Sequence, residues 1–240
     1  INIMKRSEIN ATIKKMEALL DECRFKLPPY LYFTPEEWAD KNHEYDEIRE
    51  CELGWDVTDY GEGKFDTLGL ALITIRNGNI HNPEYNKPYA EKIMMCDSGQ
   101  VSPMHYHINK MEDIINRGGN DIVFTFYNAD QTKVYRTEDG REIFEKDFEN
   151  DVLIYKDGRQ YKVKAGEPVR LHNGESITLV PYQYHEFIIP EGGPSLIGEV
   201  SMVNDDHTDN FFYEPLGRFP TIEEDEAPYR LLCTEYPEAK

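Results

Sequence analysis

The chain has 240 residues and a formal net charge of −20, long enough for one full hydrophobic core or two small ones. That charge excludes nucleic acid and anionic membrane as natural partners and sits poorly with a phosphorylated ligand, whereas a neutral small molecule is indifferent to it. Aromatic residues make up 12%, with 16 Tyr, which favours sheet over a helix bundle.

Four cysteines, Cys23, Cys51, Cys96 and Cys233, are far apart and form no Cys-x-x-Cys pair. No signal-like run opens the chain and no stretch approaches membrane-spanning length, so the expectation is a cytoplasmic protein with free thiols.

Ser7 and Asn10, followed by Ile9, Ile13, Met16, Leu19 and Leu20 at helical spacing, predict an amphipathic helix to about Leu20. Pro28-Pro29 prevents any helix from continuing beyond it. Thr34-Pro35-Glu36-Glu37 reads as an N-cap, a proline at the first helical position and an acidic first turn. The short helix it opens runs to about Lys41, with an extension toward Ile48.

From Trp55 the pattern turns to short strands. They are expected over Phe65–Ile75, Ala90–Met95, His105–Asn116, Asp121–Tyr127, Val152–Tyr155, Gln160–Val163, Pro168–Leu171, Ser176–Val180, Tyr184–Ile189 and Ser195–Met202. Gly118-Gly119-Asn120, Asp139-Gly140 and Asp157-Gly158 mark the turns between neighbours. Strands so short and frequent, without helices between them, predict an all-β sandwich or barrel. Residues 131–164 read as a charged excursion from that barrel, and 215–238, acidic and punctuated by proline, as an outer wrap. The expected organisation is one domain over 1–240: a helical flank at 1–54, a barrel at 55–202 and a C-terminal wrapping segment at 203–240.

The chemistry concentrates in Gly99-Gln-Val-Ser-Pro-Met-His105-Tyr-His107-Ile-Asn-Lys-Met-Glu112, closed by Gly118-Gly119. His105 and His107 are two apart, so on a strand both imidazoles leave the same face. With Glu112 they form a donor set suited to a first-row divalent metal.

This stretch resembles the first motif of the cupin superfamily: Gly, five residues, His-x-His, then Glu and Gly. The second cupin motif is matched loosely by Gly174-Glu-Ser-Ile-Thr-Leu-Val-Pro181-Tyr-Gln-Tyr-His185. The gap before Pro181 is one longer, Gln183 stands where glycine is expected, one spacer is missing and the trailing Asn is absent. A strand, a proline turn and a histidine survive, which makes His185 the fourth ligand implied by the resemblance. The fold it implies is a jelly-roll β-sandwich barrel.

Four ligands leave two positions open on an octahedral ion, enough for two vicinal oxygens of a substrate, with the metal as Lewis acid and template. Lys110 is two residues from Glu112; in extended chain both point one way. Burial and a nearby cation would lower its pKa toward the proton-transfer range. Lys92, on the preceding strand, can face inward and hold a hydroxyl. Glu199 interrupts an apolar strand, where an inward carboxylate is costly without a role. Glu214, set among Phe211, Phe212 and Tyr213, is a candidate acid–base group with Arg218 to orient it or to hold substrate oxygens.

Met4-Lys-Arg-Ser-Glu-Ile-Asn10, the His105–Glu112 run, Pro181-Tyr-Gln-Tyr-His-Glu-Phe187 and Phe212-Tyr-Glu-Pro-Leu-Gly-Arg-Phe-Pro220 together resemble the D-lyxose isomerase family. The resemblance implies a cupin barrel, a homodimer, and a divalent metal, manganese foremost with iron, cobalt or zinc as alternatives. It implies interconversion of D-lyxose with D-xylulose and of D-mannose with D-fructose. By that match His105, His107, Glu112 and His185 are ligands and Lys110 and Glu214 the acid–base pair of a cis-enediol proton transfer. The alternatives are a cupin sugar-phosphate isomerase, a non-haem iron dioxygenase and a sugar-binding cupin without catalysis.

Overall fold

A computed structural model describes residues 3–205 and 207–240. Strand β1 (Ile3–Lys5) leads into helix α1 (Arg6–Glu22). Ile9, Ile13, Met16 and Leu20 are buried on one face of α1 and pack on Trp55, Ala71, Ile73 and Met95 of a sheet, as the helical spacing requires. Ser7 lies inside the helix, and its N–H and Oγ–H both donate to Asp225.

Helix α2 (Pro35–Trp38) carries the expected cap: the Glu37 N–H donates to Thr34 Oγ1 at 3.2 Å and the Thr34 N–H to Glu37 Oε2 at 2.8 Å. It stops at Trp38. A 3-10 turn (His43–Tyr45) and a separate helix α3 (Asp46–Glu50) replace the expected extension.

The next strands in the chain are β2 (Gly54–Thr58), β3 (Leu70–Arg76), β4 (Tyr89–Cys96), β5 (Val101–Tyr106), β6 (Glu112–Gly119), β7 (Ile122–Arg136) and β8 (Glu142–Asp147). Then come β9 (Val152–Lys156), β10 (Arg159–Val163), β11 (Val169–Leu171), β12 (Ser176–Leu179), β13 (Gln183–Ile188), β14 (Ser195–Met202), β15 (Phe211–Phe212) and β16 (Thr221–Glu223).

They form an eight-stranded sheet, ordered β10-β9-β12-β6-β14-β4-β3-β2, facing a six-stranded sheet, β11-β7-β13-β5-β15 with β8 on β7. Between the sheets lies an apolar layer that includes Leu72, Met94, Ile114, Ile177 and Ile197 from the first and Phe124, Phe126, Phe187 and Ile189 from the second. The large sheet is buried on both faces where α1 covers it. That is why β3 reads as the nearly continuous apolar run Leu-Ala-Leu-Ile-Thr-Ile instead of alternating. Among the described residues no helix is long and apolar enough to cross a membrane.

The two chain ends are tied together. β1 pairs in parallel with β16, and the buried Arg6 guanidinium donates to Glu224 at 2.7 and 2.9 Å and to Glu235.

Three further expectations change. The strand expected over Phe65–Ile75 begins only at Leu70, because Thr67 and Leu68 donate back to the Lys64 carbonyl in a turn. The strand expected over His105–Asn116 is two strands: β5 belongs to the small sheet and β6 to the large one, so residues 107–111 cross between layers. The excursion at 131–164 is partly structural. β7 and β8 put Ile143, Phe144 and Tyr135 against Tyr106 and Tyr184, on the back of the small sheet. Val152, Ile154 and Val163 of β9–β10 belong to the main core.

Candidate metal centre

His105 on β5 and His185 on β13 are direct cross-strand partners, and His107 follows β5 immediately. Their ring centroids are 4.2 Å apart for His105–His185, 4.9 Å for His105–His107 and 5.4 Å for His107–His185. One ligand atom from each lies within 4.8 Å of the others.

Each ring is oriented through its other nitrogen. His105 Nδ1 donates to the Pro103 carbonyl at 2.7 Å, His107 Nδ1 to the Asp209 carbonyl at 2.6 Å and His185 Nδ1 to the Gln183 carbonyl at 3.0 Å. This holds each ring in the tautomer whose Nε2 carries a lone pair. His107 Nε2 is buried with no hydrogen-bond partner. Burial, reinforced by the neighbouring imidazoles, pushes His105 well below its ordinary pKa, and burial with His107 beside it lowers His185 to about 4. Two imidazoles kept neutral by burial, beside a third whose buried Nε2 has no hydrogen-bond partner, form a donor set that fits a cation.

Glu112, at the start of β6, comes from the opposite sheet. Its Oε1 lies 3.5 Å from His107 Nε2 and 3.7 Å from His185 Nε2, while Oε2 is 2.6 Å from Lys110 Nζ. Burial alone would raise this carboxyl, but Lys110 and the histidines outweigh it and hold it well below the usual carboxylate range. Glu112 thus approaches two rings of the three-histidine group from the facing layer.

Lys110 Nζ also lies 3.2 Å from Glu199 Oε1 and donates to Asn204 Oδ1 at 3.2 Å. Glu199 faces inward and is buried, with Lys92 directly opposite it across the β4–β14 pair. Lys92, Lys110, Glu112, Glu199 and Arg218 line one cavity with His105 and His185. Arg218 Nη1 pairs with the buried Asp56 carboxylate at 2.7 Å.

Glu214 is the exception. It is exposed and absent from the cavity wall; its charge acts on Lys146 and Tyr213 at the back of the small sheet. The backbone explains this. Phe211 and Phe212 pair with Tyr106 and His105 as β15, Phe212 turns into the cavity, and two residues on the chain has left the strand. Among the described residues the carboxylates that line the cavity with Lys110 are Glu112 and Glu199.

Sequence reasoning does not single out Asp56, Asn204 or Asp209. Asp56 leaves a signal, a carboxylate inside the otherwise apolar Gly54–Thr58 strand. Asn204 and Asp209 leave none, because nothing local ties them to the His105–Glu112 run.

Counting back from His185 also resolves the irregular second motif. The glycine position then falls on Tyr182, which has φ +59°. A left-handed residue is still required there, and a tyrosine supplies it at a cost in strain. Gly119 of the first motif is needed for two reasons: φ is +80°, and a Cβ would lie 2.3 Å from the Pro194 carbonyl oxygen.

A two-layer β-sandwich with histidines from one sheet and carboxylates from the other is a cupin-like protein. Solved structures share the fold: an L-ribose isomerase from Cellulomonas parahominis with L-ribose aligns with a TM-score of 0.59 at 14% identity, covering 92% of this chain and 99% of that one. One from Geodermatophilus obscurus aligns at 0.58 and 15% identity, covering 93% and 100%. The family model for D-lyxose isomerase matches residues 4–236. A D-lyxose/D-mannose isomerase of Serratia proteamaculans is 43% identical over 97% of this chain and 98% of that protein, and one of Escherichia coli O157:H7 is 41% identical over the same shares. The chain belongs to the D-lyxose isomerase family, a family of sugar isomerases.

Proposed function

We propose that this protein is a metal-dependent aldose–ketose isomerase that interconverts D-lyxose with D-xylulose, and D-mannose with D-fructose. The observation that carries this reading is the position of Lys110 Nζ, 2.6 Å from Glu112 and 3.2 Å from Glu199, in the cavity that also holds the imidazole cluster. His105, His185 and Glu112 of the cation-binding set share one cavity with the acid–base set.

In this reading His105, His107, His185 and Glu112 hold the ion, manganese being the ion proposed, with iron, cobalt or zinc able to replace it. When bound, a divalent cation polarises the carbonyl and adjacent hydroxyl of an open-chain sugar. Glu199 removes the proton alpha to the carbonyl and returns it to the neighbouring carbon, so the sugar passes through a cis-enediol. Lys110, fixed between two carboxylates, donates to the developing oxyanion and carries the hydroxyl proton. Glu199 takes the role that the family resemblance suggested for Glu214. Lys92 and Arg218 hold distal hydroxyls.

Three basic residues, Lys92, Lys110 and Arg218, line the cavity. They face carboxylates, however: Lys110 meets Glu112 and Glu199, Arg218 meets Asp56 and Lys92 stands across from Glu199. This favours a neutral sugar over a sugar phosphate. An acid–base pair inside the cavity likewise favours isomerisation over dioxygenase chemistry or mere sugar binding. A homodimer is the proposed assembly.

The test is a panel of free and phosphorylated aldoses and ketoses assayed with added manganese, followed by the preferred reaction in D2O. Deuterium should enter the product carbon. Turnover restricted to phosphorylated sugars, or many turnovers with no label, would overturn the substrate class or the proton-transfer route respectively.

A further inference from the structure

The crossing from β5 to β6 carries His107, Lys110 and Glu112, yet residues 107–111 belong to neither sheet. This irregular backbone, buried at His107 and Lys110, half-buried at Ile108 and exposed at Asn109, leaves N–H groups without ladder partners, and a buried amide needs an acceptor. Here the acceptor is one side chain. Asp209 Oδ1 accepts from the Ile108 N–H at 2.9 Å and the Asn109 N–H at 3.2 Å, and Oδ2 accepts from the Lys110 N–H at 2.9 Å. The backbone carbonyl of the same residue accepts His107 Nδ1–H at 2.6 Å. Asp209 is 8% exposed and lies roughly a hundred residues away in the C-terminal segment, just before β15 pairs with β5.

We propose that Asp209 is the positioning residue of the metal centre: its carboxylate gathers three consecutive amides and its carbonyl fixes the His107 ring, so that His107, Lys110 and Glu112 present their functional atoms to one point. The inference rests on the four-ligand reading above. A carboxylate is suited to this because it is acceptor-only, with two oxygens able to take several N–H groups. An Asn at this position has one acceptor oxygen, and its NH2 group would face an amide donor. An Ala removes the acceptor from all three amides, the Lys110 N–H among them in a buried bond.

The experiment measures affinity for Mn2+ alone, by chelator competition without sugar, in the unaltered protein and in Asp209→Asn, Asp209→Ala and Leu20→Ala. Leu20 lies in α1, on the far side of the large sheet, and its truncation lowers stability without touching the crossing. Removing a group that orients a ligand should weaken metal binding about 10–100-fold. Asp209→Asn and Asp209→Ala should show this, while Leu20→Ala keeps full affinity at a comparable loss of Tm. Amide hydrogen exchange supplies a second readout that a general loss of stability does not produce: residues 108–110 should lose protection selectively in Asp209→Asn, with β9 and β10 unchanged. In the unaltered protein, Mn2+ should slow exchange at 108–110 and at 209–212 together, a measurement that stands even if no variant folds. Failure of the unaltered protein to bind a divalent ion would remove the centre itself. Normal binding that survives Asp209→Asn undiminished, or falls equally in Leu20→Ala, would remove the role of Asp209 and leave the centre standing. Metal-induced protection at 108–110 without any at 209–212 would do the same.

Discussion

The two ends of the space between the sheets are built from the same strands and hold opposite contents. On β3 the inward positions are Leu70 and Leu72, then Thr74; on β4, Cys96 and Met94, then Lys92; on β14, Ile197, then Glu199; on β6, Ile114, then Glu112; on β13, Phe187, then His185. On β4, β14, β6 and β13 one step of two residues leads from an apolar side chain to an ionisable one of the cavity wall. Strand geometry chooses the face, and distance along the strand chooses the chemistry. The apolar end gives rigid walls, and the polar end pairs its charges with one another, because burying a lone charge is far more costly than burying a matched set.

The sharpest way to break that contrast is to empty the polar end. His185→Ala should abolish most metal binding, beyond the roughly 10–100-fold that loss of an orienting partner costs, as metal content after dialysis will report. Stoichiometric metal in that variant would show the donor set to be wrong. The chemistry can then be separated from the metal. Glu199→Gln should lower kcat by about 10²–10⁴-fold with metal content intact, whereas Glu214→Gln should turn over near normally. The reverse pattern would return the acid–base role to Glu214.

At the other end, Phe124→Ala should cost about 3–5 kcal/mol of stability, read by chemical denaturation, while the folded fraction still binds one ion per chain. A loss of metal in step with that cavity would mean that the two ends are not independent.

A smaller effect concerns pH. Burial, with His107 alongside, lowers His185 from its ordinary 6.5 to about 4. Between those values the unfolded chain holds a proton that the folded chain does not, so acid favours unfolding there. For this group, the stability of the metal-free protein is complete above pH 6.5, declines as pH falls toward 4 and levels off below it. Melting temperatures across that range check it; a flat profile would mean that the ring is hydrated.

The structure also shows why some of this is readable in the chain and some is not. His105, His107 and Glu112 lie within eight residues, so spacing alone can group them. His185 is reachable through a strand, a proline turn and a histidine, although the glycine requirement has moved onto Tyr182. Glu199 is visible as a charge in an apolar strand, but its partner is not. Glu214 looks equally good, since an acidic residue among aromatics reads the same whether the ring beside it faces the cavity or the back of the sheet.

What the sequence by itself determined is therefore local: the period-two strands, the amphipathic face of α1, the cap of α2, the turn glycines and the histidine pair. Each of these is set by contacts within a few residues, where side-chain alternation and backbone preference act directly. Only the tertiary structure decided the rest. It broke the run from His105 to Asn116 into two layers, set Glu199 beside Lys110, turned Glu214 outward and brought Asp209 to the crossing. These depend on which strands become neighbours and on the register between them, and a shift of one residue in that register sends every side chain to the opposite face.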